Sequence, residues 1–564
     1  MKKFACKIIL TSYLVAFLTI ISNAQDTSFP AFPGAMGGGA QSVGGRGGVV
    51  YEVTNLNDSG PGSFREGILM NVPRTIVFRV GGTINVTNYM EIKNGNLTIA
   101  GQTAPGGGIQ IISPNCKSNI LSISASNVII RYMRLRHGYN SIAIQSGDPI
   151  SIGLGSNCIF DHCTLMWTTD QNTNAWGSTN FRPYPNNITW SWNIIAEPMS
   201  SHPTNFITGS NYPEVADLMT NLDAHHNLFA NSSHRNPLIK NKTFRFVNNI
   251  VYNWKYRASH TAGGVNADFI GNLYKPGPLA KDKHEICVFP VPTGEGNAPN
   301  GTPTIYVLGN KGTYNTNPSN DNWPIVWEIK NGENGINVGQ LATSFRRTTP
   351  LPDLPIPIIA ESVDSLESLI FPTVGASQRL DCLGNWVSNR DAVDKRIINE
   401  YNTTQGIIPS SESDVGGFPI ISDGTPCADS DHDGMPDEWE IAKGLNPNNS
   451  ADRNFTSVSA GYLTNLEAYL SGNYGVTTGS GSNEQKIIQI FPNPVNNELI
   501  VELRDGIGSN QNIRIYNILG NQLISHKVIS NIETINTSYL PNGICFLKIE
   551  MGNSIESKIF LVRH

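Results

Sequence analysis

Charge is what this chain has least of. Charged residues are 15% of the sequence, against about 25% in typical soluble domains. The balance is slightly acidic, with 39 Lys and Arg, 45 Asp and Glu, and a net charge of −6. A general nucleic-acid binder needs a basic face, so nucleic acid is not expected as a partner. Cysteine is also scarce. Beyond Cys6 there are Cys116, Cys158, Cys163, Cys287, Cys382, Cys427 and Cys545. No Cys-x-x-Cys or Cys/His spacing suggests zinc, and the odd count leaves at least one thiol free or paired between chains. Cys158 and Cys163 read equally as buried thiols or a bridge, and Cys382 with Cys427 is the disulfide expected. Long apolar runs are missing but for Ile8 to Ile21, which follows Lys2 and Lys3 and ends at Ser22-Asn23-Ala24. That run is short for a membrane span and matches an export signal over 1–24, cleaved after Ala24.

What the sequence does have is turn-forming and polar residues, including 54 Gly and 34 Pro. Such a composition favours short strands and tight turns over long amphipathic helices. Strand-like runs recur every 22 to 35 residues or so, at Val128, Cys158, Ile188, Leu222, Phe244 and Ala267, each ending in a polar turn. A repeat of that length with strand alternation predicts a solenoid. Asn193, Asn227, Asn249 and Asn272 hold matching places in their repeats, so they are expected to stack at one bend. At 564 residues the chain exceeds one compact domain. The expected parts are a β-helix over 25–425, an acidic turn-rich segment over 426–475, a Gly/Ser linker over 476–485 and an all-β sandwich over 486–564. The fold class is therefore all-β, a right-handed parallel β-helix with a small C-terminal β-sandwich.

Residues 29 to about 278 resemble polysaccharide lyase family 1, the pectate and pectin lyases. The carriers are Phe32-Pro-Gly-Ala-Met-Gly-Gly-Gly-Ala, Val53-Thr-Asn-Leu-Asn-Asp-Ser-Gly-Pro-Gly-Ser-Phe-Arg and Thr98-Ile-Ala-Gly-Gln-Thr-Ala-Pro. Further carriers are Asn157-Cys-Ile-Phe-Asp-His-Cys-Thr-Leu and His225-His-Asn-Leu-Phe-Ala-Asn-Ser-Ser-His-Arg-Asn-Pro. The glycine clusters lack the preceding strand and following helix of a dinucleotide loop. The resemblance implies that Asp148 and Asp170 bind calcium, that Arg235 is the base and that Lys240 holds substrate. Asp148 and Asp170 lie 22 residues apart, about one coil, which places two carboxylates on neighbouring turns for a hard cation. Ser146 and Gln171 stand where the family often has further acids, which implies a weaker site completed by substrate carboxylates. Asp161 and His162 also match the family motif but read as structural. The family usually has a substrate-gripping lysine after the strand matching Ile188–Ala196. Here Ser200-Ser-His-Pro-Thr-Asn follows, and His202 is the nearest replacement.

The implied reaction is calcium-assisted β-elimination on an acidic plant polysaccharide, pectin or polygalacturonate. A β-helical glycoside hydrolase borrowing Asp148 and Asp170, and a non-catalytic glycan-binding surface protein, remain open readings. A second calcium signal is Asp429-Ser-Asp-His-Asp-Gly-Met-Pro-Asp-Glu-Trp-Glu, with acids Asp429, Asp431, Asp433, Asp437 and Glu440 at loop positions 1, 3, 5, 9 and 12 and Gly434 at position 6. This resembles the EF-hand loop. Phe491-Pro-Asn-Pro-Val, Ile515-Tyr-Asn-Ile-Leu-Gly and Leu540-Pro-Asn-Gly-Ile-Cys-Phe-Leu resemble a type IX secretion sorting domain. That implies the type IX machinery as a partner and a secreted or outer-membrane cell-surface location. The expected assembly is a monomer.

Overall fold

The computed structural model describes residues 29–114, 118–139, 147–290, 299–329, 338–459, 462–473, 488–491, 495–503, 512–517, 522–530, 532–551 and 554–564. The expected export signal over 1–24, Cys116, Ser146 and the expected linker lie outside them. The chain divides between Gly479 and Ser480 into two compact units.

The first unit is a parallel β-helix with three sheets running its length. Each coil contributes one strand to a front sheet, one to a back sheet and one to a short sheet. The coil through the middle is Ile150–Leu154 in front, Ser156–Asp161 behind and Thr164–Met166 in the short sheet. The front and back sheets have ten strands each and the short sheet eight. The stacking follows from period-2 alternation, which sends every second side chain inward. One inward row on the back sheet runs in register through Ile76, Ile99, Ile130, Phe160, Trp190, Ala224, Phe246, Phe269 and Val307. All of these are buried in one core.

At the bend between the back and short sheets the predicted asparagine stack is present and extends further. Asn193 Nδ2 donates to Asn227 Oδ1 at 3.0 Å, Asn227 to Asn249 at 2.9 Å and Asn249 to Asn272 at 3.2 Å. Asn272 donates to Asn310 at 2.9 Å and Asn310 to Asn322 at 3.0 Å. Each amide also donates to a backbone carbonyl, so the bend is fully bonded without water. The residue before each of the first five rungs is left-handed, at Trp192 (φ 56°), His226 (φ 57°), Asn248 (φ 52°), Gly271 (φ 62°) and Gly309 (φ 67°). On the same turns an aromatic stack joins Tyr132 to His162, His162 to Trp192 and Trp192 to His226, with centroids 4.8, 5.5 and 4.6 Å apart.

The glycine-rich start of the unit lies across the outer back sheet. A Cβ at Gly39 would stand 2.0 Å from the Cys158 carbonyl oxygen, and one at Gly38 would stand 2.1 Å from that of Asn221. The close approach therefore requires glycine at both. Gly38 N donates to Asp223 Oδ2 at 2.6 Å and Gly39 N to Thr189 Oγ1 at 2.9 Å. Over the short sheet lies the helix Ala392–Thr403, held by Arg136 to Asp394 at 2.9 Å and by Arg396 to Glu197 at 2.6 Å. Cys382 and Cys427 form a disulfide. Cys158 and Cys163 are separate buried thiols.

The second unit is a small β-sandwich. A three-stranded sheet contains Ile488–Phe491, Glu498–Leu503 and Ile532–Asn536. A four-stranded antiparallel sheet orders Gln522–Lys527, Asn512–Asn517, Gly543–Met551 and Ser554–Val562. Leu499, Val501, Ile513, Ile515, Leu547 and Phe560 fill the space between them.

Candidate active site and a second acidic loop

Four consecutive coils deliver the predicted residues to one edge of the front sheet. Asp148 precedes the strand Ile150–Leu154, Asp170 precedes Gln171–Trp176, His202 precedes Thr204–Gly209 and Arg235 precedes Leu238–Lys240. Neighbouring coils of a parallel sheet are about 4.8 Å apart, so the four positions form a row along the sheet edge. A cavity of about 360 Å³ lies elsewhere, lined by Lys275, Lys311, Glu367 and Tyr401 among others.

A second asparagine ladder fixes this edge. Asn172 Nδ2 donates to Asn205 Oδ1 at 2.7 Å, and Asn205 Nδ2 to Asn236 Oδ1 at 2.7 Å. Each rung is fully buried or nearly so and lies within three residues of a site residue. Arg235 has a left-handed backbone, φ 63°, a conformation that costs a non-glycine residue about 1–2 kcal/mol. Its carbonyl accepts from Phe206 N at 2.9 Å, which ties it to the coil before.

Asp148 is 2% exposed. Its Oδ1 accepts from Gln171 N at 2.8 Å and its Oδ2 from the Asn174 amide. Burial pushes its carboxyl well above the usual carboxylate range, and the charge of Asp170 pushes it further. The Gln171 N and Asn174 bonds and the charge of Arg235 oppose this. Asp170 Oδ1 accepts from the Gln171 side-chain amide and meets His202 Nδ1 at 2.8 Å. Two adjacent acids with two side-chain amides form an oxygen-rich set. Such a set fits a hard cation such as calcium.

His202 is thus placed against Asp170, on the coil between that acid and Arg235. Lys240 is brought to the opposite end of its strand, 2% exposed. Its Nζ donates to Asn211 Oδ1 at 3.2 Å and sits 5.3 Å from the Trp176 ring centroid. Asp161 and His162 lie away from this edge, on the back-sheet bend. Burial alone would push the Asp161 carboxyl up, but His162 and Arg131 beside it hold it well below the usual range. Their structural reading agrees with these contacts. Asn172, Asn205 and Asn236 were missed from sequence, as were Asn174 and Trp176. The visible signal was an asparagine at or just past each site position.

The second acidic loop folds around Asp429, whose two oxygens accept from Asp433 N at 3.2 Å and Gly434 N at 3.0 Å. Ligand oxygens of Asp429, Asp431 and Asp433 lie within 4.8 Å of one another, as do those of Asp433, Glu440 and Asp452. Asp437 is in neither group. Its Oδ1 and Oδ2 accept from Ser430 N and Ser430 Oγ, both at 2.7 Å. Burial, with the neighbouring carboxylates, pushes Asp433 and Glu440 up to about 8. Asp452 was missed from sequence because it lies beyond the twelve-residue loop.

The fold and site define a parallel β-helix protein with two acids and an arginine on one sheet edge. Over 463 residues the chain is 31% identical to the probable pectate lyase C of Aspergillus fumigatus, a match covering 80% of this chain and 96% of that protein. The probable pectate lyase C of Emericella nidulans is 31% identical over 453 residues, covering 80% and 94%. A pectate lyase of Nicotiana tabacum is 25% identical over 260 residues, covering 43% and 61%. Among solved structures, a Bacillus pectate lyase in complex with trigalacturonate is 18% identical, with a TM-score of 0.39 over 61% of this chain and 98% of that one. The major allergen of cedar pollen is 17% identical, with a TM-score of 0.43 over 60% and 92%. Residues 489–563 match the secretion system C-terminal sorting domain. The chain belongs to the pectate lyase family and is a polysaccharide lyase. Its C-terminal unit is a sorting domain that sends it through the type IX system to the cell surface or the extracellular space.

Proposed function

We propose that this lyase cleaves (1→4)-linked galacturonan by β-elimination at the front-sheet edge, with Asp148 and Asp170 holding calcium and Arg235 acting as the base. The observation that carries this reading is the convergence of buried Asp148, partly exposed Asp170 and Arg235 on one row of successive coils. A calcium ion held there would neutralise the C6 carboxylate and lower the cost of charge developing at C5. The chain's own residues supply position and the proton acceptor. Arg235 in its neutral form takes the C5 proton and becomes the guanidinium, the C5–H electrons form the C4=C5 double bond, and the C4–O bond breaks with its electron pair going to the departing sugar oxygen. That oxygen is protonated from solvent.

A guanidinium ordinarily keeps its proton, so the step draws on the neutral fraction of Arg235, which a cation held beside it would enlarge by disfavouring the charged form. A row spread over four coils suits a polymer that crosses several of them. Lys240 contributes by holding Asn211 and Trp176 at the far margin of the sheet. The test is turnover of polygalacturonate and of methylated pectin, with and without calcium, followed at the ultraviolet absorbance of the unsaturated product. New reducing ends without that absorbance would mean hydrolysis, and binding without either would mean a non-catalytic glycan-binding protein.

A further inference from the structure

We propose that the cavity on the outer face of the short sheet, lined by Lys275, Lys311, Asp364, Glu367 and Tyr401 among others, is a second, non-catalytic site that binds a galacturonate unit of the polymer. The choice of a uronate rests on the substrate proposed above.

The sheet itself builds the floor. Lys275 ends the strand Leu273–Lys275, and Lys311 pairs with Leu273 on the next coil. Period-2 alternation sends Tyr274 into the core, where it is buried, and leaves Leu273 and Lys275 on the outer face. Residues paired across a parallel ladder point the same way, so Lys311 joins them. Two ammonium groups thus rise from adjacent coils of one face. The cavity above them is about 360 Å³, within the range of about 300–1,000 Å³ that small-molecule sites occupy. Its wall comes from Asp364, from Glu367 in the helix Leu366–Ile370 and from Tyr401 in the helix Ala392–Thr403.

Lys275 Nζ donates to Tyr401 O at 2.9 Å and lies 4.0 Å from the Tyr401 ring centroid. That contact holds it against the end of its covering helix. Lys311 Nζ donates to Asp364 Oδ1 at 2.7 Å. An ammonium has three donors, so each lysine keeps donors for a ligand after these bonds. The side chains of Lys311 and Asp364 are 39% and 57% exposed. Exposed pairs of this kind contribute little to stability, so a ligand carboxylate can share Lys311 with Asp364. Glu367 Oε1 accepts from the Tyr401 hydroxyl, and the second oxygen of each carboxylate adds an acceptor to the set.

Two cations and two carboxylates together select the ligand. A uronate brings one carboxylate to the lysines and neighbouring hydroxyls that donate to Asp364 and Glu367. A phosphate would meet those two acids with like charge. A neutral sugar would leave the lysine pair without an anion.

Ala230, Tyr252 and Lys275 are aligned on successive coils, and the coil of Ala230 leads into Arg235. The cavity therefore lies two coils, about 10 Å along the helix axis, from the arginine, on a neighbouring sheet. A polymer held at both places has two linked contacts, which raises its effective concentration at the front-sheet edge. Long chains gain from this and short oligomers do not.

The test titrates the full chain, freed of calcium and of chelator, with saturated trigalacturonate, galactotriose and inorganic phosphate in a calorimeter. Trigalacturonate should bind wild type and Arg235→Ala alike, because the cavity is separate from the arginine. Galactotriose and phosphate should bind far more weakly. Lys311→Met leaves the helix contact of Lys275 in place and should bind trigalacturonate about tenfold more weakly, the loss of a charged hydrogen bond. Lys311→Arg should keep most of the affinity. In turnover with calcium, Lys311→Met should raise KM for polygalacturonate several-fold, with kcat unchanged and trigalacturonate kinetics unchanged. Binding through Lys311 in a chain that turns over nothing would leave this site standing and remove the lyase reading. The proposal is overturned if wild type does not bind trigalacturonate, if Lys311→Met binds it as tightly, if Arg235→Ala loses it, or if phosphate binds equally well.

Discussion

His202 Nδ1 stands 2.8 Å from Asp170 Oδ1, so the histidine expected as the nearest replacement for a substrate lysine is bonded to one of the two acids expected to hold calcium. The two roles compete for the same oxygen. His202→Ala leaves Asp170 free to turn toward a cation, and the calcium concentration giving half-maximal turnover should fall several-fold with kcat little changed. If His202 instead grips substrate, the same variant will raise KM at saturating calcium. Calcium titrations of initial rate at two substrate levels separate the outcomes.

Arg235 makes a sharper prediction. General-base groups contribute about 10²–10⁴-fold, so Arg235→Ala should lower kcat by roughly a thousandfold without weakening binding of oligogalacturonate in proportion. Arg235→Lys keeps the charge but loses the guanidinium fork and should recover little. Turnover of Arg235→Ala near the wild-type rate would remove this residue from the mechanism.

Much of this was legible in the sequence because β-helix physics is written coil by coil. The bend asparagines recur at matching places, and the acid pair is spaced by one coil. What was not legible depends on three-dimensional closure. Asn310 and Asn322 extend the ladder, but the chain between them makes a short return and not a regular repeat. Lys240 is five residues from Arg235 in sequence, yet the strand carries it across the sheet and under Trp176. Asp452 joins the acidic loop from outside the motif, while Asp437, inside it, bonds to Ser430.

Asp223 gives a pH prediction for stability. It is fully buried on the back sheet, and burial pushes its carboxyl up to about 7, against the Gly38 and Thr189 bonds and the charge of Arg245. An unfolded Asp titrates near 3.9, so between about pH 4 and pH 7 the folded state holds the extra proton. The stabilising effect of that proton is complete below pH 4 and lost as pH rises through 7. Asp223→Asn cannot ionise. Its melting temperature should therefore fall less than that of wild type between pH 4 and 8, by the equivalent of a few kcal/mol. Parallel melting curves across that range would show that Asp223 is ionised in the folded chain throughout.

The asparagine ladder predicts a cost that depends on position. Asn249 accepts from Asn227 N at 3.0 Å and from Asn227 Nδ2 at 2.9 Å, and it donates to Ala224 O at 2.9 Å and to Asn272 Oδ1 at 3.2 Å. Asn249→Ala removes the side-chain partner of Asn227 N and of Ala224 O, each costing about 1–3 kcal/mol, while Asn227 Nδ2 keeps Trp190 O and Asn272 Oδ1 keeps Asn249 N, so the loss should reach about 3 kcal/mol after local relaxation. Asn322 ends the described ladder. It accepts from Asn310 and donates only weakly, at 3.3 to 3.5 Å, to Asn320 O and Pro318 O. Asn322→Ala removes the partner of Asn310 N alone, since Asn310 Nδ2 keeps Phe269 O, and should cost about half as much. Urea unfolding of both variants checks the ratio, and equal losses would mean that the rungs act as separate turns and not as one continuous stack.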